Sequence, residues 1–125
     1  MALTNAGRDV IAALLVGDSA TVYNNANAYI GVGNGNGAFA ATQTDLQGAS
    51  KLRKGMQAPY PQRVGNVLTH RAVFGTSEAN FAWEEWGVFN AAAAGDMLNR
   101  KVEALGTKTS AQSWQITTTL TVTAS

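Results

Sequence analysis

The spacing of apolar residues changes once along this chain, from a helical period to a period of two. Val10, Ile11, Leu14 and Leu15 recur at helical spacing and form one apolar stripe. Thr4 or Asn5 can cap the first turn and Gly17 can stop the last. A helix is therefore predicted over about residues 5–16, packed through its stripe on the rest of the chain. Beyond it, "NAYIGVG" (residues 27–33) puts Ala28, Ile30 and Val32 on one face, as a strand does. "KLRKGMQ" from Lys51 reads as another strand, and "TQTDLQG" as one helical turn near Asp45. Gly65 and Asn66, between Val64 and Val67, form a two-residue hairpin signal. Further strands are expected over residues 67–75, 80–90 and, after a turn at Gly95 and Asp96, 97–105. In the last segment Trp114, Ile116, Thr118, Leu120 and Val122 share one face, while Gln115, Thr117, Thr119, Thr121 and Thr123 share the other. That alternation describes a half-buried antiparallel strand with a wet threonine face.

These elements add up to a mainly β protein: an antiparallel β-sandwich or small barrel of about six or seven strands with one N-terminal amphipathic helix. With 125 residues, no internal repeat and no linker-like segment, residues 1–125 are expected to form a single domain. An apolar content of 46% against 14% charge argues against a disordered chain. The apolar run at residues 10–16 follows Arg8 and Asp9 directly. It lacks the basic leader of a signal peptide and is too short to cross a bilayer, so it reads as part of the mature fold of a cytoplasmically made protein.

The stretch with the most chemical promise is "FAWEEWGVF" (residues 81–89), where two tryptophans bracket two glutamates. In an extended strand, Glu85 lies with Phe81, Trp83 and Phe89, whereas Glu84 lies with Ala82, Trp86 and Val88. The carboxylates then point apart and cannot flank one glycosidic bond. Only an acid from elsewhere, such as Glu103, could complete a pair. By the same alternation Trp83 and Trp86 cannot both enter one core, so one of them should face a second layer, the helix or a partner. The chain has one histidine, His70, no cysteine and eight scattered acids, so no metal site is expected. "GVGNGNG" resembles a phosphate-cradling loop, but no helix opening or lysine follows it, and turn chemistry explains its glycines. No catalytic residue, cofactor or metal ligand is assigned.

The net charge of +1 gives no general pull toward nucleic acid or membrane. The charge is unevenly placed, however. No acid occurs between Asp45 and Glu78, and Lys51, Arg53, Lys54, Arg63 and Arg71 all fall there. Solvated strand faces are one explanation. An electropositive flank for an acidic partner is the other, which makes these five residues, with Trp83 and Trp86, the candidate interface.

Three pieces in order, "LTNAGRDVIAALL", "NAYIGVGNGNGAFAATQTDLQG" and "EWGVFNAAAAGDMLNRK", carry a family likeness. Together they resemble the small virion proteins of tailed bacteriophages, specifically the tail-fibre or tail-collar family. The matching positions are Thr4 to Gly7, Ile30 to Gly33, Thr44 to Leu46 with Lys51 to Lys54, and Glu85 to Gly87 with Gly95 to Leu98. The resemblance implies a non-catalytic virion component with no cofactor, made in the host cytoplasm. It acts through contacts with itself, as a homotrimer, and with other virion proteins. The chain is much shorter than fibre proteins and has no fibrous repeat or receptor-binding tip, so a capsid decoration protein is the alternative. A carbohydrate-binding module, with Trp83 or Trp86 stacked on a host-surface glycan, is a third reading.

Overall fold

The computed structural model describes residues 2–124. Helix α1 spans Asn5–Val16. Thr4 is its N-cap, in extended conformation, and its side chain accepts from the Gly7 N–H at 2.9 Å. The same hydroxyl donates to the Met97 carbonyl, so the cap also ties the helix to the body of the protein. Gly7 lies so close to the Leu98 backbone that no side chain fits there. Gly17, at φ 77°, ends the helix in the left-handed conformation, with the Asp18 N–H on the Ala13 carbonyl at 2.9 Å.

Seven strands follow: β1 Tyr29–Gly33, β2 Lys51–Gly55, β3 Gln62–Val64, β4 Val67–Phe74, β5 Ala82–Phe89, β6 Lys101–Thr107 and β7 Trp114–Thr121. They form two antiparallel sheets, one of four strands in the order β2-β1-β5-β6 and one of three in the order β3-β4-β7. The protein is thus a sandwich and not a closed barrel. The Gly65–Asn66 turn joins β3 to β4, with Val64 opposite Val67 and Gly65 at φ 59°. Strand β7 keeps the expected alternation: Ile116 and Thr118 are buried, and the odd-numbered threonines are exposed.

Ile30, Val32, Ala72, Phe74, Trp83, Trp86, Val88 and Ile116 form the core between the sheets. Phe74, Trp83 and Trp114 stack edge to face with centroids 5.0 Å apart, and the Trp83 indole N–H reaches the Ala79 carbonyl at 3.0 Å. Both Trp83 and Trp86 are therefore in one core, against the sequence expectation. The reason is a shift in the β5–β6 register: Trp83 pairs with Gly106, but Glu85 pairs with Val102. This irregularity breaks the alternation, so Trp83 and Trp86 point inward together while Glu85 points to the other face of the sheet.

That second face is covered as well. Leu46, Phe89 and Met97 form a smaller core there, with Tyr29 against it. The cover is the long connection at residues 34–50. Where one helical turn was expected near Asp45, this segment has no helix. The expected strand at residues 97–105 begins only at Lys101. Met97 makes a single bridge to Phe89, because residues 97–100 also bond to the N-terminal segment, including the Thr4 N–H on the Leu98 carbonyl.

Candidate functional site

Glu85 is the most heavily bonded side chain of the opening candidates. It is fully buried, and its carboxylate accepts four hydrogen bonds. Oε2 takes the Gly35 and Gly48 N–H groups at 2.9 and 2.7 Å, and Oε1 takes the Gln47 N–H at 2.8 Å and Arg100 Nε at 2.7 Å. Arg100 is itself buried, and its Nη1 donates to the Gly37 carbonyl and Gln43 Oε1, both at 3.1 Å. A carboxylate out of water is strongly unfavourable unless its lone pairs are filled, and here the charge and the N–H groups fill them. The glycine-rich loop does cradle an anion with backbone N–H groups. The anion is the protein's own Glu85.

The glycines follow from that arrangement. A Cβ at Gly33 or Gly35 would stand 2.5 Å from Glu85 Oε2. At Gly35 it would also meet the Gly48 nitrogen at 2.5 Å, which is backbone and cannot step aside. Gly35→Ala should therefore lower stability by about 1–3 kcal/mol through overpacking. Thermal unfolding of the purified variant checks this, and an unchanged midpoint would show that the loop is not held by the carboxylate.

Such a carboxylate has no lone pair left for substrate and no open face. Glu103 does not join it. That side chain accepts from Trp86 Nε1 at 3.2 Å and stands 3.5 Å from Lys101 Nζ. It lies on the side of the sheet that faces the sandwich interior, whereas Glu85 faces the loop. The two acids are separated by the sheet.

The basic segment is placed just as specifically. Its acid-free sequence is flanked by Asp45 and Glu78, and both fold back onto it. Lys51 Nζ meets Asp45 at 2.8 Å and Lys54 Nζ meets Glu78 at 2.8 Å. The Arg53 guanidinium lies 3.6 Å over the Phe89 ring, donates to the Ala91 and Ala94 carbonyls at 2.9 Å, and approaches Asp45 at 3.4 Å. Burial pushes the Asp45 carboxyl up, but the Lys51 and Leu46 hydrogen bonds and the nearby cations outweigh it and hold the group below its ordinary range. Glu78 is held low by Lys54 and the Gly75 N–H. Arg71 lies 4.3 Å over the Tyr60 ring and bonds Thr117 Oγ1 at 3.1 Å. Arg63 is exposed and reaches only the Gly65 carbonyl, at 3.0 Å. The three cations of β2 thus pair with two acids, Lys51 and Arg53 sharing Asp45, whereas Arg63 and Arg71 have none among the described residues.

Trp83 and Trp86, at 2% and 7% exposure, offer no face for a sugar to stack on. His70 is buried mid-strand. Desolvation keeps its imidazole below its ordinary pKa, with the Tyr23 carbonyl 3.4 Å away as a partial offset. Burial, with the charge of Asp96 nearby, raises the Tyr23 phenol, which donates to the Asp96 carbonyl at 3.0 Å. Among the described residues no three His, Asp or Glu side chains cluster as metal ligands, and no helix is long and apolar enough to cross a membrane. Sequence reasoning did miss one surface: an apolar groove beside α1, lined by residues from both ends of the chain. The signal for it was the apolar tail of the helix, which outlasts the core that can cover it.

In comparison with known proteins, no family model matches this chain and no curated protein matches it.

Proposed function

We propose that this protein is a non-catalytic structural component of a tailed-bacteriophage virion, acting through protein–protein contacts as a tail or fibre-collar accessory protein. The observation that carries this reading is that the segments behind the family resemblance meet in the joints of the fold. Thr4 of "TNAG" bonds Met97 of "GDML", and Gly7 rests on Leu98. The glycine loop after "IGVG" and the loop after "TDL" both close on Glu85 of "EWG". These segments are therefore parts of the folding framework, which supports a role in assembly. A capsid decoration protein is the alternative, differing in where on the particle the chain sits. The carbohydrate-binding reading is weaker, because the two tryptophans it relied on are core residues.

The test is mass spectrometry and gold labelling of purified particles from infected cells expressing a tagged chain. The protein should copurify with intact particles in a fixed ratio to the major structural proteins, with label on the tail. Label on the head would favour decoration, and a chain found only in the soluble fraction would reject both.

A further inference from the structure

The apolar stripe of α1 runs past the core that covers it. Val10 is buried, but Leu15 and Val16 at the end of the helix are 82% and 74% exposed. Val122, just past β7, is 64% exposed. Its N–H bonds the Asn66 carbonyl at 2.9 Å, which holds it at the β3–β4 turn end of the sandwich. That end also contains a groove of about 290 Å³ whose lining includes Leu14, Val22, Arg63, Leu68, His70 and Leu120. Single exposed aliphatic residues are ordinary on a monomer, but several gathered around an aliphatic groove mark a contact surface.

Charge and shape indicate what fits it. Asp18 comes two residues after Val16, beside the projecting tip of α1, and Arg63 stands at the groove. Both are exposed, and neither forms an ion pair among the described residues. The surface thus carries an aliphatic tip with an acid and an aliphatic recess with a base. It is complementary to itself, as a two-fold contact requires.

We infer that this end of the sandwich is an isologous interface between two copies of the chain. Leu15 and Val16 of each copy enter the groove of the other, and Asp18 of each faces Arg63 of the other. Tip and groove lie side by side on one helix, with Leu14 in the recess and Leu15 projecting, so a single two-fold axis satisfies both at once. In a ring of three the tip of one copy would enter the groove of the next without the contact being returned. A dimer, in place of the trimer implied by the family resemblance, is thus the unit this surface supports. The inference needs only this surface and is independent of the virion reading.

Gel filtration with light scattering on the full chain tests it. The mass should be twice that of the 13.1 kDa chain. Leu15→Asp should weaken association at least about tenfold without changing the circular dichroism spectrum, because that side chain lies in solvent in the single copy. Arg63→Asp should also weaken it, and adding Asp18→Arg should restore it. A monomer at about 100 µM, a trimer, a dimer indifferent to Leu15→Asp, or a double exchange no tighter than the single one would each overturn the inference.

Discussion

Replacing Arg100 by methionine should remove about 3–5 kcal/mol of folding stability, a third or more of what a domain of this size commonly has. The change leaves the Glu85 carboxylate buried with its three N–H donors and no counter-charge, in a place closed to water. Glu85→Gln should be of similar severity from the other side. It strands the Arg100 guanidinium, and the new amide NH2 group has to face loop N–H groups that need an acceptor. The double variant should be less damaged than the sum of the two, since neither charge is then left alone. Urea unfolding of the four proteins measures all of this. Limited proteolysis adds a local readout, because the loop at residues 34–50 is attached through this carboxylate and should be cut first in either single variant. A loss under about 1 kcal/mol for Arg100→Met would sink the idea that the pair organises the loop.

Trp83→Ala is expected to cost about 3–5 kcal/mol, or a fall in melting temperature of roughly 10–20 °C. The ring is almost fully buried, packs edge to face against Phe74 and Trp114, and donates to the Ala79 carbonyl, so its removal opens a cavity that its rigid neighbours cannot fill. Trp83→Phe should recover part of the loss but leave the Ala79 carbonyl without its donor. Trp86→Ala should also be costly, as its ring lies in the same core. This separates the core assignment from the sugar-stacking one. A surface stacking residue can be removed for about 0.5 kcal/mol or less, so a stable Trp86→Ala variant would contradict the placement described above.

What could be read directly from the chain was local. Thr4 and Gly17 bound the helix because a cap hydroxyl and a left-handed glycine act within a turn of their own position. Gly65 and Asn66 set the hairpin, and the alternation from Trp114 to Thr121 set the strand and its wet face, because turn geometry and pleat are properties of neighbouring residues. The pleat was also expected to separate Glu84 from Glu85, but the register shift falls at this point of the strand, and it is the full set of bonds to Glu85 that leaves that carboxylate no free lone pair.

The tertiary structure decided the rest, through contacts between residues far apart in sequence. Whether Trp83 and Trp86 share a core depended on a shift in register against β6, which nothing in "WEEW" announces. The anion of the glycine-rich loop turned out to be Glu85, fifty residues from Gly35, and the helical turn expected near Asp45 gave way because three N–H groups of that region and its neighbour were drawn to one buried carboxylate. The three cations of β2 were met by Asp45 and Glu78 from just outside the acid-free segment. A buried charge must find its partners wherever the chain brings them, and the apolar end of α1 stays uncovered wherever the core runs out. Both outcomes are set by the packing of whole sheets, which no local period encodes.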